Sequence, residues 1–198
     1  MGLSSPNRMV CSCFRSLQRH IAYLVEENDE NKIRDIAASS VVMAVTAVET
    51  FVNMHFRILV EEEKYKSFKS MVVDESESTN GNRPKGLEQK LNSWPNKILN
   101  KNIDFNNGIA KEFEEMRVIR NNLTHFVSGY EAVAYGNVEI RGLANTDAFD
   151  SLKKEDGERA LRVAKEFIEH ILSLSGVKEE NLPHAMHHWG GFVPEYES

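Results

Sequence analysis

An arginine and a histidine, Arg120 and His125, stand five positions apart in the run Arg120-Asn121-Asn122-Leu123-Thr124-His125. An imidazole with an ordinary pKa of about 6.5 can take or give a proton near neutrality. A guanidinium presents a planar fork of N–H donors that matches phosphate oxygens and stabilises charge building on them. Asn121 adds an amide able to hold either the anion or the imidazole. The set suits acid–base chemistry at a phosphate and requires no metal. Arg120 also sits oddly in its own segment. The stripe Ile109, Phe113, Met116, Arg120, Leu123, Val127 has the three-and-four spacing of a helix with one buried face, and the arginine takes an aliphatic slot in it. Arginine is almost never fully buried unless paired. Either it has an anionic partner, or this face borders a cleft or an interface.

A second charge out of place is Glu49, inside the apolar stretch Ser40 to Phe56 and one helical turn before Asn53. A carboxylate there should be paired or neutral. It is a candidate to lock two helices, to orient Arg120, or both. The plain structural alternative is that Arg120 simply pairs with Glu49 and that His125 caps its helix, where a cation is favoured.

The elements that must carry these groups read as helices. Residues 8–28 form an expected first helix, with Val10, Phe14, Leu17, Ile21, Leu24 and Val25 at helical spacing. Asn28 to Asn31 supplies turn and cap residues. A long second helix is expected from Lys32 into the low 70s, apolar on nearly all sides in its middle and so central. Val73 to Pro84 is polar and reads as a mobile loop. A shorter helix follows over 84–99, with Pro84 in its first turn and Pro95 breaking or kinking it. The helix carrying Arg120 covers 107–126, opened by the Asn106-Asn107-Gly108 turn. Gly136-Asn137 between short β-prone runs in 129–143 predicts a hairpin. A last helix covers 155–175, stopped by Gly176. The fold class is therefore all-α: an up-and-down bundle of about five helices with a hairpin-like insertion before the last. It forms one domain over 1–198, with a core at 8–175 and an irregular tail at 177–198.

At 3.6 residues per turn, Asn121 and His125 lie about 40° apart round a helix, but Arg120 and His125 about 140° apart. Either the long arginine side chain bends round the helix edge, or two copies of the helix meet and each pocket draws on both.

The Arg-(four residues)-His run, so placed, resembles the motif of the HEPN superfamily, small helical domains that include metal-independent ribonucleases. Asn121 after the arginine, the acidic segment Ala47 to Asn53 and the segment Gly86 to Leu91 are also similar to parts of that family. The resemblance spans residues 8 to 175. It implies a homodimer with motif helices facing across a twofold axis, so that two Arg120–His125 sets line one cleft. It further implies RNA as substrate, since RNA carries its own 2′-hydroxyl nucleophile. His125 would act as acid or base and Arg120 would stabilise the phosphorane, with Asn121, Glu49 and Asn53 in support. The products would end in 2′,3′-cyclic phosphate and 5′-hydroxyl. A toxin or defence role, with an antitoxin or other partner protein, goes with that family. The alternative is a non-catalytic helical module for dimerisation or for holding a nucleotide or RNA.

The net charge of -6 argues against broad wrapping of nucleic acid, which needs a basic surface, but not against a small basic site. Lys64, Lys66 and Lys69, interleaved with Tyr65 and Phe68, could track an RNA backbone, or simply solvate a helix end. His184, His187 and His188 have metal-ligand spacing, but lie with Trp189 in the expected irregular tail, which reads as a solvated or docking tail; no cofactor and no metal site are expected. Cys11 and Cys13 without partners suit a reducing compartment. No apolar run approaches the roughly 20 residues of a membrane span, and no apolar region follows Met1 to Arg8 as in a signal peptide. A cytoplasmic protein without a membrane partner is expected.

Overall fold

The computed structural model describes residues 5, 7–60, 73–74, 83–84, 86–124, 131–136, 138–143 and 146–192. Seven α-helices are found among them: α1 (Arg8–Glu26), α2 (Glu30–Leu59), α3 (Leu87–Trp94), α4 (Gly108–Thr124), α5 (Asp147–Asp150), α6 (Lys154–Leu174) and α7 (Leu182–Gly190). The protein is all-α in class. Two short antiparallel pairs accompany the helices. Val73–Asp74 (β1) pairs with Arg83–Pro84 (β2), and Glu131–Tyr135 (β3) with Val138–Leu143 (β4).

Helix α2 is the axis of the fold, packed mainly against α1 and α6 and also against α4 and α3. Its start is set by Asp29, whose carboxylate accepts from the amides of Asn31 and Lys32. Ala44, Val45, Ala47, Val48, Phe51 and Val52 are all fully buried, so one broad face of its middle packs against other helices, while Thr46 on the other side is exposed. Phe14 and Leu17 of α1, Phe113 of α4, and Phe167 and Ile168 of α6 complete the same cluster. Gly157 brings α6 close to α1, since a Cβ there would lie 2.5 Å from Leu24 Cδ1. By length and composition α2 could also cross a membrane, contrary to expectation, but half of its most apolar window is buried inside this fold.

Several boundaries differ from those read in the sequence. α2 ends at Leu59, well short of the low 70s, with Val60 in extended backbone. Among the described residues its fully buried stripe stops at Phe56, and Ile58 is already 59% exposed. Pro84 lies in β2 rather than in a first helical turn, and α3 begins after Gly86, whose amide donates to Gln89 Oε1 at 3.2 Å. At Pro95 the chain passes into a π-helical turn, Pro95–Leu99, closed by Asn100 in the left-handed region at φ 54°. The middle of the expected loop (75–82) and the segment carrying Lys64, Lys66 and Lys69 lie outside the described residues.

The tail is the larger correction. Residues 179–190 are not irregular: a 3₁₀ turn leads into α7, which seats Met186 and Trp189 in the core. Trp189 meets the edge of Phe51 at 5.0 Å and lies beside His55. The sequence periodicity was too short to show this, because one nine-residue helix buries only two large side chains. Trp189→Ala should cost about 3–5 kcal/mol of unfolding free energy, measured by urea denaturation; a change below about 1 kcal/mol would mean that α7 is not docked.

His55 is a buried ring stacked on Phe51, with Nε2 2.8 Å from Ser175 Oγ. Burial holds its pKa down at about 4. The unfolded chain takes up that proton near pH 6.5. Between the two values the unfolded state binds a proton that the folded state refuses, so stability is complete above pH 6.5 and falls as pH drops toward 4. The loss should reach about 3 kcal/mol. His55→Phe should remove that part of the pH dependence in urea titrations at pH 7.5 and 4.5; an unchanged slope would refute the assignment.

Candidate functional site

Glu49 emerges from the apolar middle of α2 between α3 and α4. Its carboxylate is divided between them. Oε2 lies 3.6 Å from Arg120 Nη2 of α4, and Oε1 lies 3.8 Å from Lys90 Nζ of α3. Asn53, one turn along α2, accepts from Lys90 Nζ at 2.8 Å. Lys90 is 6% exposed, and its ammonium stands 5.6 Å above the Trp94 ring. Burial pushes the Lys90 pKa down, and the Glu49 carboxylate partly offsets that. A buried ammonium needs such partners, because an unpaired charge in this environment is strongly destabilising.

Two arginines of α4 flank the carboxylate, and they differ in how far they are committed. Arg117 is the more enclosed, with its side chain 13% exposed. It grips Glu114 with two donors, Nε at 2.8 Å and Nη2 at 2.6 Å, and reaches Glu88 of α3 at 3.0 Å. The Glu114 hydrogen bonds hold its pKa above the usual arginine value. Arg120 has its side chain 23% exposed. Among the described residues its guanidinium makes one hydrogen bond, Nη1 to Asn121 Oδ1 at 3.1 Å, besides the long ion pair to Glu49. A guanidinium has five N–H donors, so most of those on Arg120 remain for another acceptor.

Glu49, Glu88, Arg117, Arg120 and Asn121 line an open groove of about 460 Å³. Val45 and Glu49 of α2 form its floor. Residues 86–89, at the start of α3, make one wall, and Arg117, Arg120 and Asn121 of α4 make the other. Two cations and two carboxylates border it, so the groove is polar without a strong net field. The opposite side of α4 is closed by exposed ion pairs from Glu112 and Glu115 to Arg159 and Arg162 of α6.

Of the residues singled out from the sequence, Arg120, Asn121 and Glu49 come together in the groove, and Asn53 joins them through Lys90. His125 and Val127 lie outside the described residues; α4 is described to Thr124, whose hydroxyl donates to the Arg120 carbonyl at 2.9 Å. Sequence reasoning passed over Lys90 and Arg117. Lys90 carried the same signal as Arg120: Leu87, Lys90, Leu91 and Trp94 form a helical stripe with a cation in an apolar slot. Arg117 adjoins Met116 on the buried face, where its enclosure depends on Glu88 from another helix. His184, His187 and His188 fall on α7. Among the described residues no group of three or more His, Cys, Asp or Glu side chains is placed to hold a metal.

No family model matches the chain, and neither a curated protein nor a solved structure matches it.

The shared carboxylate should couple two helices energetically. Glu49→Ala leaves Lys90 without its counter-charge, with only Asn53 and the Trp94 ring beside it, and should lower unfolding stability by about 2 kcal/mol or more. Combining it with Lys90→Met should cost less than the sum of the single losses, by about 1 kcal/mol in a double-mutant cycle. Strict additivity in urea denaturation would rule out the coupling.

Proposed function

We propose that this chain is a metal-independent endoribonuclease of HEPN type, working as a homodimer in which two α4 helices face each other. The fold would then be an up-and-down five-helix bundle with the β3–β4 pair as a hairpin inserted before α6, in a soluble, cytoplasmic protein. The observation that carries it is the contrast between the two arginines. Arg117 spends its donors on Glu114 and Glu88, whereas Arg120 is held by Asn121 and Glu49 at the edge of a groove with donors to spare. A phosphate oxygen is the acceptor that a guanidinium fork fits best.

In the proposed reaction the 2′-hydroxyl of RNA attacks the adjacent phosphorus. One base takes its proton, and the P–O5′ bond breaks as an acid protonates the leaving oxygen. His125, next in the chain after Thr124, supplies acid–base catalysis near neutrality. Arg120 faces the charge that builds on the non-bridging oxygens. A role as toxin or defence effector, with a protein inhibitor, is the biological setting this reading favours.

A second reading is a non-catalytic module that dimerises or holds a nucleotide or RNA through the same face. Glu49 in the groove floor and Glu88 in its wall favour the dimerising form of this reading, because carboxylates repel a long phosphate backbone.

Purified protein should cut RNA in the presence of EDTA and leave 2′,3′-cyclic phosphate ends. Arg120→Ala or His125→Ala should each slow cleavage by about 10²-fold or more. If each pocket takes Arg120 from one chain and His125 from the other, mixing the two inactive variants should restore about a quarter of wild-type activity, since half the dimers are mixed and each has one intact pocket. Cleavage that persists in both single variants sinks the proposal. RNA binding without cleavage favours the second reading.

A further inference from the structure

We propose that Lys90 is a positioning residue whose function is to occupy half of Glu49, so that Arg120 keeps positive charge for an anionic substrate. This rests on the reading of Arg120 as the phosphate-binding group, though not on cleavage taking place. The two oxygens of Glu49 point to different cations, Oε1 to Lys90 at 3.8 Å and Oε2 to Arg120 at 3.6 Å. Neither separation is a close hydrogen-bonded pair, whereas Arg117 meets Glu114 at 2.6 Å. Glu49 is thus pulled two ways and closes fully on neither partner.

Without Lys90 the carboxylate would have one partner. It would settle into the fork of Arg120, and the bidentate Arg–carboxylate arrangement would use the donors that a phosphate needs. Lys90 is kept on the opposite side by Asn53 Oδ1 at 2.8 Å and by the face of Trp94. It is too enclosed to meet a substrate itself, at 6% exposed. Its influence therefore passes through Glu49. The buried ammonium tunes the guanidinium across a shared carboxylate, and three helices set the distances.

A purely structural role makes a different forecast. If Lys90 and Glu49 only tie α3 to α2, removing either should weaken the site in the same direction. Under charge sharing the directions are opposite. Lys90→Met frees Glu49 to neutralise Arg120 and weakens anion binding. Glu49→Gln keeps the shape, removes the competitor for Arg120, and strengthens it.

The test is binding of a short 2′-deoxy oligonucleotide, which lacks the nucleophile and cannot be cut. It uses the full-length protein at a temperature where circular dichroism shows every variant folded. Lys90→Met should raise Kd on the order of tenfold, and Glu49→Gln should lower it by a similar factor. Lys90→Arg, which keeps the charge, should bind within a few-fold of wild type, and the double variant Glu49→Gln with Lys90→Met should bind at least as tightly as wild type. Kd rising in both single variants overturns the proposal in favour of a structural tie. So does an unchanged Kd in Lys90→Met. Where Lys90→Met does not fold, Glu49→Gln alone decides, by the sign of its effect. Binding insensitive to Arg120→Ala overturns the positioning role together with its premise. The predicted pattern without any RNA cleavage upholds it while removing the nuclease reading.

Discussion

A carboxylate carried inside an apolar helix must be satisfied by its neighbours, and in this protein Glu49 decides which neighbours those are. α2 buries one broad face along its middle, so the helices beside it are held by non-directional packing. Packing alone leaves freedom in how they rotate and slide. Glu49 removes some of it. Its two oxygens face Lys90 of α3 and Arg120 of α4, so the register of both helices against α2 is tied to one side chain. The groove is the space left between these three elements.

The arrangement separates two kinds of cation. Arg117 and Lys90 are enclosed: Arg117 spends most of its donors on Glu114 and Glu88, and Lys90 is held by Asn53, Glu49 and the face of Trp94. Arg120 is at the edge, more exposed and less engaged. A side chain needed for a ligand must be oriented without being used up, and Arg120 has one hydrogen bond to Asn121 and one long ion pair to Glu49. The same helix meets α6 through exposed ion pairs, which are screened by solvent and contribute little each. The apolar face of α4 and the enclosed pairs therefore do more to fix Arg120 than its surface bridges.

The fold reaches beyond the segment that carries this site. α7 places Trp189 against Phe51 and His55, in the same helix and less than three turns from Glu49. The centre of α2 is thus walled on one side by aromatic packing and opened on the other by charge. Substitutions in α7 would act on the groove only through α2, whereas changes in α3 or α4 act on it directly.

Much of this was legible in the chain. Helical class, the central position of α2, a cap within Asn28 to Asn31, the stop at Gly176 and the disruption at Pro95 all follow from spacing, caps and backbone chemistry, which are local properties. Arg120 and Glu49 stood out because each broke an apolar stripe, and a buried charge implies a partner. The partner's identity is not local. Lys90 broke a stripe in the same way, but only the crossing of α3 over α2 shows that it competes with Arg120 for one carboxylate. The exit of α2 at Leu59 and the docking of α7 were likewise decided by where buried surface ends and begins, a quantity no linear pattern contains. Sequence alone determined which residues could not be left unpaired; the tertiary structure decided how their charges were shared, because electrostatic pairing depends on distances between segments that lie far apart in the chain.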